Sequence, residues 1–158
     1  MIVTMPRADH LLWIGSGVEC FVWEWTVDEV LKTYRHKDEA ERAMRLQQKA
    51  ADVGLGPQTG GHVFEVDTPP PPHHSGYNWA ERNTRWCFIS ERVDTDHGLD
   101  VKYDYDEEPA YMDETGELDE LCEQLVAHGI STVDMHTDNI GRNAEGRLVR
   151  IDFGEAST

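Results

Sequence analysis

The chain has 158 residues, 39% of them hydrophobic and five of them Trp, which suits one folded domain with a core and excludes global disorder. Its formal net charge of −17 disfavours direct binding to a nucleic-acid backbone, which needs a basic patch. No apolar run approaches the length of a membrane span, and Met1-Ile2-Val3-Thr4-Met5-Pro6-Arg7 lacks the pattern of a signal peptide. Cys20, Cys87 and Cys122 are few, odd in number and far apart. That spacing speaks against a disulfide framework or structural zinc site, and for a reducing cytoplasmic location.

The first third reads as strands followed by a helix. Leu11–Ile14, Cys20–Trp25 and Val27–Tyr34 are rich in aromatic and β-branched residues, with Gly15-Ser16-Gly17 at a turn between the first two. Ala40, Ala43, Met44, Leu46, Ala50 and Val53 recur at helical spacing, which predicts a helix over Lys37–Asp52 ended by Gly54. Gly54-Leu55-Gly56-Pro57 is a connector, and strands are expected at His62–Asp67 and Arg85–Val93.

Four consecutive prolines, Pro69–Pro72, favour polyproline II and cannot enter a sheet ladder, so 68–84 is expected to be an insertion between two strands. His73-His74 within it is read as exposed loop sequence in preference to a metal site. From Asp94 to Glu123 there are thirteen acidic residues and one basic residue, Lys102. Such a stretch is a solvated acidic surface, or one that attracts a basic partner or substrate. Leu118, Leu121, Cys122, Leu125 and Val126 share one face of a helix expected over Leu118–His128 and stopped at Gly129. A short strand at Ile140, a turn at Asn143–Gly146 and a strand at Leu148–Ile151 close the chain.

The motif with the most chemistry lies in that last part. Val133-Asp134-Met135-His136-Thr137-Asp138-Asn139 is followed, thirteen residues after Asn139, by Asp152-Phe153-Gly154. An Asp, an Asn five residues on and a hairpin leading to Asp-Phe-Gly is the wiring of a phosphoryl-transfer site. Taken with the order of elements, the chain resembles a very small member of the protein-kinase-like superfamily, from about Leu11 to Gly154. The fold this implies is α+β, with an antiparallel N-lobe sheet and one helix (1–93), then a reduced C-lobe of one helix and the catalytic-loop hairpin (94–158). Because the sequence ends at Thr158, no activation segment or further C-lobe helix is expected, and a dimer covering the exposed side of the catalytic lobe is anticipated.

The resemblance also implies roles. Gly15 and Gly17 would open the phosphate-covering turn and Val22 would pack on adenine; Cys20 stands where the family has a third glycine, and Glu19 adds a negative charge beside it. Lys32 would grip the phosphates, paired with a carboxylate on the following helix, either Glu39 or Glu41. The backbone around Glu91 and Val93 would bind the adenine edge. Asp134 would orient the attacking hydroxyl, and Asn139 and Asp152 would ligate Mg2+, a hard cation that takes oxygen donors. The family's usual His before the catalytic Asp is Thr132 here, and Asp-x-His-x-x-Asn with His136 is similar to aminoglycoside and choline phosphotransferases. The implied activity is ATP-dependent phosphorylation of a protein hydroxyl, with Lys32, Asp134, Asn139 and Asp152 as the catalytic set. A small-molecule kinase and a non-catalytic binding module acting through the acidic surface are the alternatives.

Overall fold

The structure, a computed structural model, describes residues 13–16, 20–67, 85–99, 116–132, 135 and 139–153. The architecture is α+β and consistent with a reduced kinase-like fold. Strands β1 (Trp13–Ser16), β2 (Cys20–Glu24), β3 (Glu29–Tyr34), β4 (Phe64–Glu65) and β5 (Trp86–Glu91) form an antiparallel sheet in the order β1-β2-β3-β5-β4. Helix α1 (Lys37–Ala51) follows β3. Helix α2 (Glu117–Ala127) and the hairpin β6 (Ile140–Arg142)–β7 (Leu148–Arg150) make the remainder. Among the described residues no helix is long and apolar enough to cross a membrane.

Several elements are shorter than the sequence suggests, β3 and β4 among them, and β3 for a local reason. The third strand begins at Glu29 because Trp25–Asp28 form a turn, in which the amides of Trp25 and Thr26 both donate to Glu29 O and Asp28 N donates to Thr26 Oγ1. A hydroxyl that bonds its own backbone competes with the ladder. The fourth strand has only two residues, Phe64 and Glu65, opposite Cys87 and Trp86. Leu11 and Leu12 and the whole 68–84 insertion lie outside the described residues.

The sheet is buried on both faces. Phe21, Trp23, Leu31, Val66 and Cys87 form one apolar cluster, in which the Trp23 indole donates to Thr33 Oγ1 at 3.0 Å. Cys20, Tyr34 and Phe88 pack with Ala40 and Ala43 of α1 in another, where the rings of Tyr34 and Phe88 stack at 5.8 Å. Alanines on this face of α1 let the helix lie close to the strands. The helix ends as expected, with Gly54 at φ 77° and Leu55 N donating back to Ala50 O at 2.8 Å.

A third cluster joins α1 to the rest of the chain. Leu46, Ala50 and Leu55 pack with Leu118, Leu121 and Leu125 of α2, with Ile130, Met135, Ile140 and Leu148, and with Phe153. One helix thus feeds two cores, through Ala40 and Ala43 towards the sheet and through Leu46 and Ala50 towards α2 and the hairpin. The segment after β5 is also tied to the hairpin by a two-bond bridge, Asp94 N to Arg142 O at 2.9 Å and Arg142 N to Asp94 O at 2.8 Å. That approach is close enough that a Cβ on Gly141 would sit 2.8 Å from Val93 Cγ2 and 2.9 Å from Asp94 O. The second of these is backbone and cannot rotate away.

Gly141→Ala is therefore expected to destabilise the protein by about 1–3 kcal/mol through overpacking. Urea unfolding of the variant beside wild type measures it, and an unchanged midpoint would contradict the contact.

Candidate functional site

Between the sheet and the hairpin lies a cavity of about 580 Å³, within the range of small-molecule sites. Ile14, Val22 and Val30 give it an aliphatic wall on the sheet side, and Cys20 stands beside them. The chain from Ser90 to Thr95 forms its back, and Ile151 and Asp152 border it from the hairpin side. Lys32 lies within it. The lining carries two cations, Lys32 and Arg92, and four carboxylates, Asp28, Glu91, Asp94 and Asp152. Its apolar walls beside a backbone edge suit a ligand with a flat apolar end, and Lys32 offers a buried cation to an anionic one.

Lys32 owes its place to β3, the central strand, whose residues from Val30 to Tyr34 are all buried. Only 6% of Lys32 is exposed. Its ammonium donates to Gln47 Oε1 at 2.8 Å and to Ile151 O. Burial pushes the Lys32 ammonium below the ordinary lysine value, and the nearby Cys20 thiol and Asp152 carboxylate push it back up. The ammonium thus donates to two neutral oxygens, with the Asp152 carboxylate acting on it through space.

The helix partner of Lys32 is not the expected carboxylate. Glu41 is exposed and pairs with Lys37 at 3.8 Å, one helical turn away on the solvent side. Glu39 precedes Gln47 by eight residues, about 12 Å along the axis at a rise of about 1.5 Å per residue. The residue opposite Lys32 is Gln47, which is 1% exposed on the stripe of Ala40, Ala43, Leu46 and Ala50. The sequence carries a signal for it, since Gln47 is a polar residue at a core position of an otherwise apolar helix face. Such a residue is buried only with its hydrogen bonds satisfied. Its amide meets that condition, Nε2 donating to Pro57 O at 3.1 Å and to Ser90 Oγ at 2.7 Å.

The other expected residues divide into three groups. Val22, Lys32, Glu91, Val93 and Asp152 all line the cavity. Gly15 pairs with Val22 in the sheet, and Asn139 is buried next to the Asp152 segment, its backbone oxygen accepting from Ile151 N at 2.8 Å. Gly17, Glu19, Asp134, His136 and Gly154 lie outside the described residues. At the back edge, Glu91 N already donates to Gln58 O and Arg92 N to Asp28 O, both at 2.8 Å. Val93 N has no acceptor among the described residues.

Arg150 is a second residue that the motif reading passes over. Its guanidinium is 1% exposed, with Nε donating to Asp152 O at 2.8 Å and Nη1 to Ser131 O at 2.6 Å. It lies 5.2 Å from the centre of the Phe153 ring. One side chain thus fixes the backbone at Asp152 and the backbone just before the Asp134 loop. Its position one residue before Ile151 gave no hint, because an Arg at the end of a short strand usually points to solvent.

No protein-family model and no curated protein matches the chain. Solved structures similar to it include two of one protein. One is the bifunctional kinase-methyltransferase WbdD, at 15% identity and a TM-score of 0.46 over 89% of this chain and 30% of that one. The other is WbdD in complex with the kinase inhibitor LY294002, at 14% identity and 0.46 over 90% of this chain and 32% of that one. The chain spans about a third of the length of either.

Arg150→Met strips two part-buried carbonyls of a charged donor, and is expected to cost about 2 kcal/mol of stability, measured by urea unfolding. Lys32 gives a pH signature. Its folded-state pKa lies below the ordinary 10.5, so the folded protein binds fewer protons than the unfolded one between those two values. The stability of wild type relative to Lys32→Met is expected to rise as pH climbs through that window, and a flat difference would contradict the burial of a charged ammonium.

Proposed function

We propose that the chain is an ATP- and Mg2+-dependent phosphotransferase of the protein-kinase type, which moves the γ-phosphoryl group to a hydroxyl, most simply of a protein Ser or Thr. The observation that supports this reading best is the meeting of Lys32 and Asp152 in one cavity, although they lie far apart in sequence. An aliphatic wall at Val22 suits adenine, and the Glu91–Val93 backbone suits its polar edge. The same reading divides the chain into an N-lobe to residue 93 and a C-lobe from residue 94.

Each residue then has one task. Lys32 offers its ammonium to the phosphates, which supply the anionic partner that Gln47 does not. Asn139 and Asp152 provide the amide and carboxylate oxygens that would hold Mg2+, whose chemistry is to neutralise charge on the phosphates. Asp134 orients the acceptor hydroxyl and takes its proton as the oxygen bonds to the γ-phosphorus and the bond to the departing ADP breaks. Catalysis of this kind is mainly positioning and charge stabilisation. The acidic stretch from Asp94 to Glu123 suits a basic protein substrate or partner, and a homodimer remains part of the reading.

A second reading, a nucleotide-holding module without transfer, draws on Gln47 where a carboxylate is expected and on Cys20 where a glycine is expected. Labelled γ-phosphate transfer separates the two. Wild type is expected to label itself or a basic acceptor protein, and Asp134→Asn to fall by about 100-fold or more. Wild type that binds ATP but labels neither a protein nor a small alcohol would leave the module reading in its place.

A further inference from the structure

The buried polar groups around Lys32 form a single chain of hydrogen bonds. Lys32 Nζ donates to Gln47 Oε1 at 2.8 Å, Gln47 Nε2 donates to Ser90 Oγ at 2.7 Å, and Ser90 Oγ donates to Glu91 O at 3.1 Å. Every donor and acceptor in it has one allowed direction. An ammonium only donates, so it must face the amide oxygen of Gln47. The amide nitrogen must then face Ser90 and Pro57 O. The Ser90 oxygen, having accepted from Gln47, turns its hydrogen to Glu91 O. Gln47 and Ser90, the middle of the chain, are 1% and 0% exposed.

We infer that Gln47 is a positioning residue, whose neutral amide sets the Lys32 ammonium and couples it through Ser90 to the backbone carbonyl of Glu91. The inference rests on the nucleotide reading above, and concerns how the two ends of one ligand are held. Lys32 and Glu91 both line the same cavity, and on the nucleotide reading Lys32 meets the polyanionic end and the Glu91 backbone the flat end. A carboxylate in place of the amide could not serve both. It would accept from Lys32, but its second oxygen would face Pro57 O with no hydrogen between them, at the place where Nε2 now donates across 3.1 Å. Ser90 would have to turn its hydrogen towards that oxygen and away from Glu91 O. The new negative charge would also compete with phosphates for the Lys32 cation. The amide therefore holds the ammonium in place without adding a second anion beside Asp152 to compete with the ligand.

The experiment measures affinities of the full chain for Mg-ATP and for adenosine by Trp fluorescence or calorimetry, with Gln47→Leu, Gln47→Glu, Ser90→Ala and the double variant Gln47→Leu/Ser90→Ala. The ratio of the two affinities reads the grip on the phosphates apart from the grip on the base. Removing the partner of a charged donor is expected to weaken ATP binding by about tenfold in Gln47→Leu, with a smaller loss for adenosine. Gln47→Glu is expected to lower the ratio as well, and it keeps the side-chain volume if Gln47→Leu does not fold. Ser90→Ala is expected to weaken both ligands, and the double variant to bind ATP no worse than Gln47→Leu, because members of one network are not additive. A global loss of packing would move ATP and adenosine by the same factor, and that result overturns the inference. So does Gln47→Glu that binds ATP as tightly as wild type or tighter, or a double variant whose losses simply add. Wild type that binds ATP and adenosine, with Gln47 variants unchanged, removes this inference alone. Wild type that binds neither removes the nucleotide reading and this inference with it.

Discussion

The ammonium of Lys32 ties together three parts of the molecule at one buried point. It stands on the central strand of the sheet, bonds to Gln47 of α1, and reaches the carbonyl of Ile151 next to Asp152. Burying a charge is costly unless its hydrogen bonds are met. Here the hydrogen-bond acceptors are neutral, and the Asp152 carboxylate across the cavity lies near enough to act on the ammonium through space. The position of the helix, the orientation of the Gln47 amide and the approach of the hairpin all answer to that one buried group.

The frame around it is apolar and shared. Helix α1 uses small residues against the sheet and larger ones against α2 and the hairpin, so a shift of the helix would disturb both cores and the Lys32 contact together. Phe153 lies in the second of those cores, which places the residue after Asp152 under the end of α1. Arg150 secures the same stretch from the other side by binding the carbonyls of Asp152 and Ser131. The bridge between Asp94 and Arg142 ties the chain leaving the sheet to the same hairpin, and only glycine at 141 admits it. The hairpin side of the cavity is therefore anchored by both apolar packing and hydrogen bonds.

The polar chain from Lys32 to Glu91 gives this frame a chemical direction. Apolar contacts fix distances but leave the sense of hydrogen bonding open. A Gln between a Lys and a Ser closes that freedom, because the two halves of the amide are not interchangeable. The consequence is that Lys32 and the backbone at Glu91, both in the cavity lining, are linked by one set of hydrogen bonds.

The sequence by itself determined most of the elements and the candidate residues on them. The alternation in Cys20–Tyr34, the spacing of Ala40 to Ala50, and the glycines at 54 and 129 are local signals, and local propensity decides strand, helix and stop. The motif residues Lys32, Asp152, Val22, Glu91 and Val93 were legible because each sits at a recognisable spacing, and the structure brings those five to one cavity. What only the tertiary structure decided was which side chains meet. Glu39 and Glu41 looked like partners for Lys32 because charge complementarity is visible in one dimension, whereas rotation and rise along a helix put Gln47 there instead. Arg150 was invisible as a site residue for the same reason, since its carbonyl partners are backbone atoms and leave no mark on residue type. Hydrogen bonds between distant segments depend on how the chain packs, and packing is settled by the shared core and not by any one stretch of sequence.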